Sequence, residues 1–572
     1  MKALLLPSIS SVKFFLKKKN KYKNFILCTD SSSVKVFCEF NLKIKCIDIN
    51  DYFSTSKRNA IYYKLYKNYL KKLKKCDLIL TKNLSEREKE FYNNWIYHLY
   101  RYFPFFYYFG LFNFQQSLKK FLFIKKIKHL VVYKDFKSSH FLFSNEDIVK
   151  VIVSLKKIKF KFIENNSFNK NSYFAIYKKK LKEIIKHSIN TLKNYKFYLK
   201  KIFNKKENII IVKPIYEIDL KKFNEFNIYF LNESNFKTNF TTGNLENSNI
   251  KKNFFSFNKN NIVEKIIFKK IANHYNENSK NFFSYIKNFS QFIKKNKIKK
   301  LIWGLPPIHA NQKVLIVKYL QKIKIPVIGY QHGGCYGDLS MDDFHYLSDY
   351  NYCDIFYCYK KDKLSFTKHL VKDYKLCKFN TAGSLRVKKN FYSNNYSKKY
   401  KKKILFPITC WTDNFSHMLG DSSREVVKRQ IFILRLLKKL NLKVVIKYIK
   451  NTDSFFNETS YPAYYLSNFN RKNFIFEYGM SLQTAINFYK PDLVILDTIS
   501  TPLYETIIND CDIICFNSKF NKLKKNVEKK INKRVYVANS DKQLLKFIND
   551  YKTKKLSKKR DESFLRENLL NN

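Results

Sequence analysis

The feature that most constrains this 572-residue chain is its alternation of short apolar runs with amphipathic helical stretches. "KALLLPS", "NFILCTD", "KCIDIN" and "CDLILTKN" read as strands, and residues 57–75, "KRNAIYYKLYKNYLKKLKK", carry helical periodicity. From residue 264 the alternation resumes with a helix to about 297, a strand "KKLIWGLPP", a helix "ANQKVLIVKYLQKIK" and a strand "IPVIGY". A second series follows "YSKKYKKK": strands "ILFPIT", "KVVIKY", "NFIFEY", "DLVILDT" and "DIICFN", interleaved with helices over 423–440, "SLQTAINFY" and "TPLYETIIN". Alternation of this kind predicts an α/β fold with parallel, doubly wound sheets. The expected architecture is two Rossmann-like domains facing a cleft. Residues 1–395 form the first, with a weakly patterned elaboration at about 150–262, and residues 396–572 form the second.

Two segments stand at strand ends, where parallel sheets place their ligands. The first is "GYQHGGCYGD". The chain has only ten glycines, yet Gly329, Gly333, Gly334 and Gly337 fall within nine positions. Glycine admits positive φ and close backbone approach. Gln331, His332, Gly333, Gly334, Tyr336 and Gly337 are therefore expected to form a cleft loop, with His332 the candidate general base and Asp343, in "DLSMDDF", a poorer one. The second segment is "DLVILDTISTPLYETI". Pro502 suits a first helical turn with Thr501 as its N-cap, which leaves amides and hydroxyls of Ser500 and Thr501 for an anion. Glu505 faces the same opening and suits ribose hydroxyls. Lys447, Thr409, Thr412 and Asp413 are further candidates at strand ends, with Arg386 near the presumed hinge. For each, a solvated side chain or a capped turn is the simpler alternative.

A formal charge of +66 ordinarily suggests a polyanion partner. Here the lysines accompany abundant Asn, Ile, Phe and Tyr and few Gly and Pro, the composition that AT-rich coding imposes. No specific nucleic acid is expected, and peripheral contact with an anionic membrane stays open. The eleven cysteines include no CxxC pair and sit mostly in apolar runs, so a reducing cytoplasm is the expected compartment, with the inner face of the cytoplasmic membrane as its peripheral variant. No metal cage, GxxxxGK[ST] loop or GxSxG elbow occurs, which disfavours P-loop ATPases and serine hydrolases.

"GYQHGGCYGD" followed by "FHYLSDYNYCDIFYCY" resembles the "GQHGG-x-YG … SD … WGW" segment of a family of transferases in O-antigen and surface-polysaccharide biosynthesis. "LDTISTPLYETIINDCDIICFN" is similar to that family's "ST-x-x-x-E" segment. The likeness extends over roughly residues 299–550; "YCY" replaces the family's tryptophan motif, and "KYIKN" stands where many relatives carry an HP pair. The resemblance implies a GT-B-type glycosyltransferase that moves a sugar from a nucleotide-sugar donor to a glycan or lipid-linked acceptor, without a metal or other cofactor. By the same likeness, Ser500, Thr501 and Glu505 bind the donor, with His332, Gly333 and Gly334 on the opposite wall. A glycerol-phosphate-type transferase, a nucleotide-sugar epimerase or a non-catalytic polyanion-binding protein are the alternatives.

Overall fold

A computed structural model describes residues 1–82, 84–92, 94–101, 108–135, 145–155, 158–164, 207–212, 217–231, 261–304, 313–340, 349–360, 377–393, 401–409, 421, 423–448 and 473–570. Three parallel sheets organise them. The first contains β1 (Lys2–Leu5), β2 (Ile26–Thr29), β3 (Ile47–Asp48), β4 (His129–Tyr133) and β5 (Lys159–Ile163), in the order β3-β2-β1-β4-β5. The second contains β6 (Asn208–Val212), β7 (Asn227–Leu231), β8 (Ile298–Trp303), β9 (Val327–Tyr330), β10 (Ile355–Cys358) and β11 (Lys378–Thr381), ordered β11-β10-β9-β8-β6-β7. The third contains β12 (Lys401–Pro407), β13 (Val444–Lys447), β14 (Phe474–Glu477), β15 (Pro491–Leu496), β16 (Asp512–Phe516) and β17 (Tyr536–Ala538), ordered β14-β13-β12-β15-β16-β17. The fold class is α/β, built of Rossmann-like parallel sheets.

Residues 1–395 hold two of these sheets, joined by one continuous apolar core. The helices Thr55–Lys82 and Ile262–Lys295 lie between them: the Tyr69 and Phe268 rings are 5.5 Å apart, and Tyr100 Oη lies 2.7 Å from His274 Nδ1. Within 150–262, the apolar runs Lys159–Ile163, Asn208–Val212 and Asn227–Leu231 supply an edge strand to the first sheet and two strands to the second. Of these, β6 also pairs with the distant β8, which a local reading does not reveal, whereas β5 and β7 pair with the preceding strands β4 and β6. The expected boundary near 395 falls between the helix Leu385–Ser393 and β12.

One expected strand is helix instead. "CDLILTK" continues the helix Thr55–Lys82, because Tyr62, Tyr66, Tyr69, Leu73, Cys76 and Leu80 recur every three or four residues and are all buried. An apolar run this short reads equally well as either element, and the heptad-like spacing upstream decides it. In the aromatic block at 101–114, Phe109 stacks on Tyr62 at 4.2 Å between centroids, so its described part is core; residues 102–107 lie outside the described set. No described helix is long and apolar enough to cross a membrane.

The third sheet is apolar on both faces, as a doubly wound parallel sheet requires. Its strand order reverses between β12 and β15, the position at which open α/β sheets form a crevice beyond their carboxyl ends. The crevice that results brings the two sequence-predicted segments together.

Candidate functional site

At the carboxyl end of β12, the Thr409 hydroxyl and amide both donate to the Asp497 carboxylate just beyond β15. Gln430 donates to the same carboxylate at 2.6 Å, and Arg429 holds the Asp497 carbonyl. Burial raises the Asp497 pKa, against the lowering effect of these donors. Thr409 was expected to contact a donor molecule; in this structure its hydroxyl is committed to Asp497.

The helix Thr501–Thr506 begins one residue earlier than expected. Ser500 is its N-cap in extended conformation, Thr501 is the first helical residue, and Pro502 sits in the first turn. Proline tolerates either early position because no intrahelical partner exists there for an amide.

The loop after β9 lies directly against this helix. A Cβ on Gly334 would come within 2.7 Å of Tyr504 Cβ and closer still to its ring carbons; one on Gly333 would lie 3.0 Å from Thr501 Oγ1. Gly329 is likewise pressed, with a Cβ there 2.9 Å from Phe356 Cδ2 and nearer still to Cys353 Sγ. Among these four glycines only Gly337 adopts positive φ, at 75°. Gly333 and Gly334 thus let the loop approach the helix Thr501–Thr506 closely, Gly329 packs within the second sheet, and Gly337 uses the positive φ that glycine admits.

Further contacts fasten the loop. Tyr504 Oη donates to Asp338, Ser340 N donates to Lys522 O at 2.7 Å, and Lys524 N donates to Asp338 O at 2.9 Å. Buried Gln331 spans its base: Nε2 donates to Gly333 O at 2.7 Å, and Oε1 accepts from Tyr359 N at 3.0 Å.

Within the loop, His332 keeps a quarter of its side chain exposed, and its Nδ1 lies 3.5 Å from Oδ2 of fully buried Asp349. Tyr336 donates its hydroxyl to the same Asp349 oxygen and lies 3.0 Å from His332 Nδ1. Burial, with Asp349 beside it, raises the Tyr336 pKa and keeps the phenol protonated. The Tyr336 hydroxyl is also 3.2 Å from His332 Nε2, so the phenol links the imidazole to the buried carboxylate. Asp349 was absent from the sequence-predicted set. Its signal was present in "YLSDYNY", directly after the loop, but nothing local shows that the chain folds it back beneath His332. Asp343, Thr412 and Asp413 lie outside the described residues.

Across the crevice, Glu505 pairs with Arg386 through Nη1 at 2.6 Å. Burial raises the Glu505 pKa, while Arg386 and Lys447 pull it down. Lys447 ends β13 and donates Nζ to Tyr448 O at 2.7 Å; burial lowers its pKa, opposed by Glu477 and Glu505. Arg386 also donates its amide to Glu217 Oε2 at 3.1 Å, and Glu217 accepts from Tyr359 Oη and Ser384 Oγ, each at 2.9 Å. Glu217 and Tyr359 too escaped the sequence reading, because they reach this cluster from the ends of different strands. Charged groups from both sheets thus meet at one place: Glu217 beyond β6, Arg386 beyond β11, Lys447 on β13 and Glu505 on the short helix. Among the described residues no group of three His, Cys, Asp or Glu side chains is placed to hold a metal ion.

No family model matches the chain, and no curated protein matches it. Similar solved structures include UDP-GlcNAc 2-epimerase of Methanocaldococcus jannaschii in complex with UDP-GlcNAc and UDP, at 14% identity and TM-score 0.37, covering 62% of this chain and 94% of that one. The Neisseria meningitidis UDP-GlcNAc 2-epimerase bound to UDP-GlcNAc is 12% identical at TM-score 0.34, covering 64% and 100%. Arabidopsis thaliana UGT89C1 complexed with UDP is 8% identical at TM-score 0.32, covering 64% and 87%.

Proposed function

We propose that this chain is an enzyme acting on a nucleotide sugar, and that it transfers the sugar to a hydroxyl of a glycan or lipid-linked acceptor. The observation that carries the reading is part-exposed His332, 3.5 Å from buried Asp349, on a loop packed against the start of the Thr501–Thr506 helix, whose Glu505 pairs with Arg386. In the proposed reaction the acceptor oxygen attacks the anomeric carbon and the bond from that carbon to the diphosphate breaks. His332 takes the hydroxyl proton, and the nucleoside diphosphate leaves. Asp349 orients the imidazole and stabilises its protonated form. Arg386 and Lys447 counter the charge that develops on the leaving phosphate. Ser500 and Thr501 supply hydroxyl contacts, and Glu505, held in place by Arg386, accepts from ribose hydroxyls.

The test is a His332→Ala variant assayed for transfer and for nucleotide affinity. Loss of a positioned base costs about 10²–10⁴ in turnover, with nucleotide affinity retained. Asp349→Asn, which keeps the side-chain shape but removes its charge, lowers kcat in the same sense. Unchanged turnover in His332→Ala would remove the base assignment, and product analysis separates transfer from epimerisation.

A further inference from the structure

The first sheet meets the third through its carboxyl edge, where Arg424 pairs with Asp48 and Asp51 and Thr55 donates to Glu425, and lysine gathers at its opposite, amino edge. All five strands are parallel, so their amino ends form one edge. Lysine marks every strand at that edge: exposed Lys2 opens β1, Lys23 precedes β2, Lys45 precedes β3, Lys128 precedes β4 and Lys159 opens β5. The stretches entering β2, β3 and β4, residues 18–25, 42–46 and 125–128, each carry at least two lysines and no Asp or Glu. At the opposite edge Asp30, Asp48, Asp135 and Glu164 close or follow β2 to β5; Lys134 also stands there, paired with Glu164 at 2.7 Å.

AT-rich coding scatters lysine; it does not separate acids from bases along one sheet. The other two sheets show the scattered result, with Glu207 and Glu225 before β6 and β7, Asp354 before β10, and Asp510 and Asp512 at the start of β16. The lysine-lined edge also carries apolar side chains in water. Phe123 is 83% exposed and Ile124 57%, at the end of the helix Phe109–Ile124; Val153, 51% exposed, ends the neighbouring helix Asn145–Val153. A hydrogen bond between Gln115 and Ser154 ties the two helices together, and Lys159 N donates to Lys128 O at 3.0 Å across the strands they feed.

We infer that this edge docks on an anionic lipid bilayer, with the lysines over the headgroups and Phe123, Ile124 and Val153 in the acyl boundary. Lysines alone would suit any polyanion. Protruding aliphatic side chains gain nothing from phosphate, whereas burial in hydrocarbon stabilises them. The inference does not depend on which reaction the crevice performs.

The test is sedimentation of the full chain with vesicles of phosphatidylcholine alone or mixed with phosphatidylglycerol, alongside a fluorescence titration with a single-stranded RNA. Binding is expected only with phosphatidylglycerol, weakening about fivefold for each lysine neutralised in Lys128→Gln and Lys159→Gln. The double variant Phe123→Ala, Ile124→Ala, both exposed and so harmless to folding, should weaken vesicle binding about tenfold and leave RNA binding unchanged. Vesicle binding that this variant retains in full, or RNA binding that it loses in parallel, would overturn the proposal; the latter would mark a nucleic-acid surface.

Discussion

Gly334→Ala tests the packing that joins the two halves of the crevice. The backbone at 334 is not in the left-handed region, so alanine is conformationally admissible and only space opposes it. The added methyl would lie within 2.7 Å of Tyr504 Cβ and nearer still to the ring, all of it buried. Tyr504 has little freedom to move aside, since its hydroxyl donates to Asp338 and swinging the ring would break that bond. Overpacking of a core together with loss of a hydrogen bond to a carboxylate amounts to about 3–6 kcal/mol. Calorimetry should show this as a lower midpoint, at about 2–4 °C per kcal/mol. Gly479→Ala is the control: its nearest neighbour would be Glu477 Oε1 at 3.7 Å, so a change within about 0.5 kcal/mol is expected. The decisive comparison is Gly334→Ala made in a Tyr504→Ala background. There the ring is gone and only the Cβ contact must relax, so the added cost should fall to about 1 kcal/mol or less. Costs that add within about 0.5 kcal/mol would refute the clash.

Two further predictions concern stability. Burial pushes the Asp77 carboxyl up from 3.8 to about 7, although it accepts from the amides of Ile96 and Tyr97 and from Tyr92 Oη. The folded state then holds a proton that the unfolded chain releases, so Asp77 makes stability fall as pH rises from about 4 through about 7; thermal midpoints of Asp77→Asn should lose that slope, and an unchanged slope would contradict the assignment. Lys490 caps the helix Leu482–Tyr489 at φ 44° and ψ 63°, a left-handed conformation that costs a side-chain-bearing residue about 1 kcal/mol or more. Lys490→Gly should raise the unfolding midpoint, and a lowered one would show that the lysine side chain contributes more than its backbone costs.

Much of the fold was legible because a strand buried on both faces must be apolar along its length, and "IPVIGY", "DLVILDT" and "DIICFN" are. The helix at 501 was legible from Pro502, and the structure moves its cap by only one residue. Partners distant in sequence were not legible. Glycine enrichment around 333 marked a site of close approach, but that the approaching group is Tyr504 depends on how two sheets meet. Asp349 beneath His332, and Glu217 beside Arg386, are likewise products of topology: each reaches the crevice from a different strand end. The same holds for the lysine edge of the first sheet, which emerges only when five strands separated in sequence are placed side by side by parallel pairing. Net charge alone had concealed it.

The account's central claim is that a nucleotide sugar occupies the crevice between the second and third sheets. The most direct measurement is thermal stabilisation of the full chain by UDP, GDP, CDP and CMP and their sugar conjugates, with Glu505→Ala in parallel. Ligand at a hundred times its Kd stabilises a folded protein by about 2.7 kcal/mol. The account predicts a clear rise in midpoint with one nucleotide family, lost in the variant. No response to any nucleotide, with salt-sensitive RNA binding in its place, would contradict it.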